Sequence, residues 1–148
     1  MLDLSTIKTY ILHYTKLVDR RRYMEQVVKT QNLDAQWITE LDQEEMVGEL
    51  LDYYYKSSED DWNKKVGALW NLREHGYRPL SPAEISLTAK HVEAMKRISE
   101  SPDDYGLIFE DDVLLAENFQ SLLSDYFSET PDDWDVILKL RKKQSAKS

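Results

Sequence analysis

Residues 104–112 read Asp104-Tyr-Gly-Leu-Ile-Phe-Glu-Asp-Asp112, and how this stretch is understood decides the fold. Tyr105 to Phe109 is a short apolar run, rich in aromatic and β-branched residues and led by a turn-forming Asp pair, the pattern of a buried β-strand. Glu110, Asp111 and Asp112 follow it without a break. Packed together, these carboxylates would repel one another and resist desolvation, so a cationic group is expected among them. Alternation along an extended chain puts Glu110 and Asp112 on one side and Asp111 on the other, an acid-x-acid pair able to hold a hard cation. Ligands of open α/β sheets bind at the carboxyl ends of strands, where this cluster falls. Spacing alone fits equally well an acidic turn that merely ends a strand.

Before this strand, Ser81-Pro-Ala-Glu84 has every part of a helix start: Ser at the N-cap, Pro at the first helical position and Glu three residues after the cap. The helix is predicted to run to about Ser99. On a helical projection Glu84, Leu87, Thr88, His91, Val92, Met95 and Ile98 share one face, and Ser86, Lys90, Glu93 and Arg97 the other. The first set is the more apolar, so Glu84 and His91 are expected to face inward together. Nearer the N-terminus, Ile7–His13 reads as a strand, Leu17–Gln31 as a helix with Leu17, Met24, Val27 and Val28 on one stripe, and Ala35–Thr39 as a second strand. Strand, helix and strand in so short a span argue for a parallel sheet.

Arg20 projects on the apolar side of the first helix, where a charge needs an anion. A diphosphate would serve, and so would an internal carboxylate such as Glu84 or Asp112. Residues 42–78 interrupt the alternation as a largely helical insertion. Its Tyr53, Tyr54, Tyr55, Trp62 and Trp70 could stack on a sugar or base, but aromatic residues at helical spacing more often pack a core. A helix from about Glu117 to Phe127 and a last strand, Trp134–Leu140, complete the order β-α-β, helical insertion, α-β-α-β. This is the α/β class.

With 148 residues, 41% of them hydrophobic and 32% charged, the chain suits one globular domain. It contains no cysteine, which excludes disulfides, zinc ribbons and thiol nucleophiles and leaves oxygen-ligated metals such as Mg²⁺ or Mn²⁺. No apolar run approaches the roughly 20 residues of a membrane span, and the N-terminus lacks the layout of a signal peptide, so a cytoplasmic location is expected. The net charge of −9 hides a basic tail: Lys139, Arg141, Lys142, Lys143 and Lys147, with no acid among residues 139–148. The other 138 residues hold 14 basic against 28 acidic side chains. A body so acidic repels polyanions, so nucleic acid is not an expected partner and residues 141–148 read as a solvated tail.

Taken in order, Ile11-Leu-His-Tyr14, Asp19-Arg-Arg21, Leu80-Ser-Pro-Ala-Glu-Ile-Ser-Leu-Thr-Ala-Lys-His91, Leu107-Ile-Phe-Glu-Asp-Asp-Val113 and Asp133-Trp-Asp-Val-Ile-Leu138 resemble the blocks of glycosyltransferase family 25, the lipopolysaccharide and lipooligosaccharide biosynthesis family. The resemblance implies a GT-A-like, Rossmann-related fold with a mixed, mostly parallel sheet. It also implies transfer of a hexose, galactose or glucose, from a nucleotide diphosphate sugar such as a UDP-sugar to a glycan acceptor, with Mn²⁺ or Mg²⁺. By the same resemblance Glu110 and Asp112 would bind the metal, and Asp111, Arg20 and Tyr14 would lie at the donor. Glu84 and His91 would shape the site from the signature helix, and the reaction would invert the sugar's configuration with a carboxylate as base. The chain departs from the family at His13-Tyr14, where Asn-Leu is usual, and at Lys90, where a serine usually precedes the signature histidine. It also has serine rather than glycine at Ser86.

Family members usually continue well past the last strand matched here. The alternative expectation is therefore an inactive, truncated relative that binds a nucleotide sugar or a protein partner without turnover. A purely structural helical adaptor built on the aromatic insertion is a third reading, and it predicts no affinity for metal or nucleotide.

Overall fold

Lys8-Thr-Tyr-Ile-Leu12 is β1, and its alternating side chains are buried on both sides of the strand. Both faces of this strand are therefore covered by other elements, as in a layered α/β sheet. The computed structural model describes residues 4–56, 58 and 79–137. In it β1 is followed by α1 (Val18–Thr30), β2 (Asp34–Ile38), α2 (Gly48–Tyr54), α3 (Pro82–Glu100), β3 (Leu107–Glu110) and α4 (Phe119–Glu129). Residues Asp3–Leu115 form one compact unit and those from Ala116, α4 among them, belong to a second. Among the described residues no helix is long and apolar enough to cross a membrane.

The described sheet has the order β2-β1-β3 and both pairings are parallel. This is an α/β arrangement of the expected class. β1 lies in the middle, so the chain leaves it through α1 to one side and returns through α3 to the other. Right-handed crossovers in opposite directions put α1 and α3 on opposite faces of the sheet. Tyr10 and Leu12 of β1 pack with Ile38, Ile108, and Ala94 and Ile98 of α3. Thr9 and Ile11 point to the other face, and Met24 is the fully buried residue of α1.

Several expectations change in detail. β3 is half-buried rather than buried, because it lies at the edge of the described sheet. Trp134–Ile137 do not form a strand, and the remainder of that expected strand, like the basic tail, lies outside the described residues. Of the expected helical insertion, α2 is described; the part that carries Trp62 and Trp70 lies outside the described residues. Tyr54 and Tyr55 pack against a second core cluster of Leu41, Met46, Ile85 and Ala89, the packing role expected of aromatic residues here, while Tyr53 is exposed.

The capping box of α3 forms as the sequence predicts: the Ser81 hydroxyl accepts from the Glu84 amide and the Glu84 carboxylate accepts from the Ser81 amide. The inward face of α3 is not the one expected. Ile85, Ser86, Ala89, Lys90 and Ala94 are buried, while Leu87, Val92 and Met95 are exposed. Small side chains let the helix axis approach the sheet, and the one long polar residue among them is paired internally, so apolar content was the wrong guide to this face. The same close approach fixes Gly106, where a Cβ would stand 2.8 Å from Ile98 Cγ1 and 3.2 Å from Tyr10 Cε2.

Candidate functional site

The register of the sheet builds the site. Leu12 of β1 lies beside Glu110 of β3 and Ile38 of β2, so the next residue along, His13, emerges beside Asp111. These are carboxyl ends of parallel strands, at the position where the crossovers diverge to either side of β1. Such a switch point leaves a crevice between the loops after β1 and β3. A cleft of about 200 Å³ lies there, lined by Tyr14, Arg20, Ser86, Lys90, Glu110 and Asp111 among others. It is smaller than the roughly 300–1,000 Å³ of ordinary small-molecule sites.

Alternation along the acidic triplet stops with the strand at Glu110, because the period of two belongs to extended backbone only. Asp111 and Asp112 lie in the turn that follows and converge on one cation rather than pointing apart. Arg20 Nη1 donates to Asp111 Oδ1 at 3.0 Å and to Asp112 Oδ2 at 3.3 Å. Asp111 is only 6% exposed, and its second oxygen lies 2.8 Å from His13 Nδ1, with the Tyr14 amide at 3.4 Å. The cation demanded by the carboxylates is thus supplied in part by the chain itself. The hydrogen bond to Asp111 and the nearby carboxylate charges raise the Arg20 pKa above its ordinary value, against the opposing effect of burial. Arg20 stays 47% exposed at its side chain, and a guanidinium has five donors. It can therefore meet an anion from solvent while Asp111 holds it.

The outer carboxylates differ from Asp111. Glu110 Oε1 lies 3.3 Å from His91 Nε2, and the side chains of Glu110 and Asp112 are both about half exposed. Each therefore has one oxygen toward a basic partner and a second oxygen for another ligand. Among the described residues no three His, Asp or Glu side chains are grouped to hold a metal by themselves. Exposed carboxylates are the protein ligands a Mg²⁺-type ion takes when phosphate oxygens and water complete its shell.

The other expected site residues divide. Tyr14 is at the cleft, its hydroxyl donating to Glu44 Oε1 at 2.6 Å and accepting from Gln43 Nε2 at 3.2 Å. Hydrogen bonds from Lys16 and Tyr14 hold the Glu44 carboxyl down to about 2. His91 reaches the acidic triplet through Glu110. The Glu84 carboxylate is engaged in the capping box instead, two helical turns before His91, and the shared inward face expected of the two is replaced by that of Ser86 and Lys90.

Three residues that the sequence did not place at the site complete the arrangement. Lys90 is 3% exposed and donates from Nζ to Asp42 Oδ1 and to the His13 carbonyl, both at 2.7 Å. Asp42 Oδ2 accepts from the Thr15 amide at 3.2 Å and the Thr15 hydroxyl at 2.5 Å. Burial pushes the Asp42 carboxyl up, but the bonds from Lys90 and Thr15 and the Lys90 charge outweigh it and leave its pKa below the ordinary value. One signal was available: Lys90 follows Ala89 and stands one turn after Ser86, on the small-residue face, where a buried lysine requires a carboxylate.

No curated protein and no solved structure matches the chain. Residues 6–148 match the family model described as glycosyltransferase family 25 (LPS biosynthesis protein), and with nearly its whole length covered the chain belongs to that family.

Proposed function

We propose that this family 25 protein transfers a hexose, galactose or glucose, from a nucleotide diphosphate sugar to a glycan acceptor in cell-surface polysaccharide biosynthesis. It would act in the cytoplasm, where nucleotide-sugar donors are made. The observation that carries the reading is Arg20, a half-exposed guanidinium fixed by buried Asp111 at the carboxyl ends of β1 and β3. A diphosphate arriving at the crevice would meet a cation whose position is already set, so little reorganisation is needed as charge develops on the leaving nucleotide. Tyr14 lies on the same rim of the cleft and would contact the donor. Glu110 and Asp112, with their outward oxygens, are the pair that would hold Mn²⁺ or Mg²⁺ together with the donor's phosphates. When bound, such an ion supplies Lewis-acid neutralisation of the departing diphosphate. His91 would orient Glu110 from α3, a role in shaping the site rather than in the chemistry.

Calorimetry with UDP, UDP-galactose and UDP-glucose, with and without Mn²⁺, tests the reading. Metal-dependent heat is expected with at least one of the three, and Asp112→Asn is expected to weaken it about tenfold or more while the fold remains. No metal-dependent heat with any of these nucleotides would refute the proposal.

A further inference from the structure

Lys90 occupies a position where α3 otherwise presents small side chains, and burying its charge makes sense only for what the charge holds. A buried ion pair is often no better for stability than apolar residues of similar size. Apolar residues could not, however, hold backbone groups. Lys90 takes the carbonyl of His13, and its partner Asp42 takes both the amide and the hydroxyl of Thr15. The pair therefore grips the β1–α1 loop on the residue before and the residue after Tyr14. Both gripping residues come from outside that loop, Lys90 from α3 and Asp42 from the segment after β2.

We infer that Lys90 and Asp42 are positioning residues for nucleotide binding: their buried pair clamps His13-Tyr14-Thr15 so that Tyr14 and the His13–Asp111 contact stand in the geometry the donor meets. This rests on the donor-site reading above. The clamp acts one step away from the ligand. Asp111 fixes Arg20 from the β3 side, and Lys90 with Asp42 fixes the facing loop from the β2 and α3 side, so the two walls of the crevice are set by separate buried carboxylates.

Two variants of the full chain test the inference: Lys90→Met/Asp42→Leu, which replaces the pair by apolar residues of similar size, and Thr15→Val, which removes one of the gripped groups. Each is measured for thermal stability, for hydrogen exchange at the Tyr14 and Thr15 amides without nucleotide, and for UDP affinity with Mn²⁺. The double variant is expected to keep a cooperative melt, to exchange at those amides at least tenfold faster, and to bind UDP about tenfold more weakly. Thr15→Val should show the same changes at roughly a third of the size. A folded double variant with unchanged amide exchange, or with loosened amides and unchanged UDP affinity, overturns the inference. Where the double variant does not fold, Thr15→Val decides, and wild-type exchange together with wild-type affinity overturns it. Absence of UDP binding by the unaltered chain sinks the donor-site reading and takes this inference with it, whereas binding by the unaltered chain and equal binding by the variants sinks the inference alone.

Discussion

Asp111→Ala should be among the most damaging single substitutions in the chain, far more so than the same change one residue later. Asp111 is 6% exposed and its two carboxylate oxygens serve His13 Nδ1 at 2.8 Å and Arg20 Nη1 at 3.0 Å. Removing the carboxylate strands His13, itself 3% exposed, without an acceptor for its ring nitrogen. A buried donor left unsatisfied costs about 1–3 kcal/mol, and the lost charge-assisted bond to Arg20 brings the total to about 3–4 kcal/mol. Arg20 lessens the loss only slightly, since half of it can return to water. Asp111→Asn keeps one acceptor oxygen, which can turn to His13, and should cost about 2 kcal/mol, the worth of one charge-assisted bond. Asp112 is 55% exposed at its side chain and shares Arg20 at 3.3 Å, so Asp112→Ala should cost below about 1 kcal/mol. At roughly 3 °C of melting temperature per kcal/mol for a chain of this size, the three variants should melt about 10, 6 and less than 3 °C below wild type. Circular dichroism melts and urea titrations followed in the far ultraviolet measure the series. Equal effects of Asp111→Ala and Asp112→Ala, or a cost below about 1 kcal/mol for Asp111→Ala, would refute the reasoning and return the triplet to an ordinary acidic turn.

Two further outcomes follow from groups outside the triplet. The Asp42 pKa is lower in the folded chain than its ordinary value, so its stabilising contribution is complete above the unfolded carboxylate pKa near about 4 and is lost as pH falls through the folded value; urea stability measured at successive pH values below about 4 should fall less steeply in Asp42→Asn, and parallel curves would contradict the assignment. Ser81→Ala should cost about 1 kcal/mol, because it removes the acceptor for the Glu84 amide at the start of α3; an unchanged melting temperature would show that Pro82 alone sets the helix start.

The elements that were readable in advance are those whose signal is local. The capping box at Ser81 and Glu84, the period of α1 and the apolar run of β3 each declare themselves within a few residues, and the parallel sheet follows from their order. What escaped was long-range pairing. Arg20 was open between a diphosphate and an internal carboxylate until the sheet register brought residue 13 beside residue 111. For α3 an apolar tally favours Leu87, Val92 and Met95 as the inward face, whereas close approach favours Ser86, Ala89 and Ala94 and lets Lys90 reach Asp42, 48 positions away. Burial of a charge depends on a partner distant in sequence, and no window along the chain contains both. Glu110 and Asp112 illustrate the limit of periodicity: the rule was sound to the last residue of the strand and failed in the turn after it.

Leu41, the residue that delivers Asp42 to the interior, has a backbone φ of 67°, a left-handed conformation that a branched side chain adopts only at a cost of about 1–3 kcal/mol. Its carbonyl accepts from the Ser86 hydroxyl at 2.6 Å, and its side chain belongs to the cluster with Met46, Ile85 and Ala89. Glycine would relax the backbone there but leave a void among those side chains, while any β-branched residue would deepen the strain. The two demands have no common solution better than the present one, so position 41 should tolerate very few replacements. A sequence drifting under selection would then be free to change the exposed face of α3 long before it could change the short segment that aims a carboxylate inward.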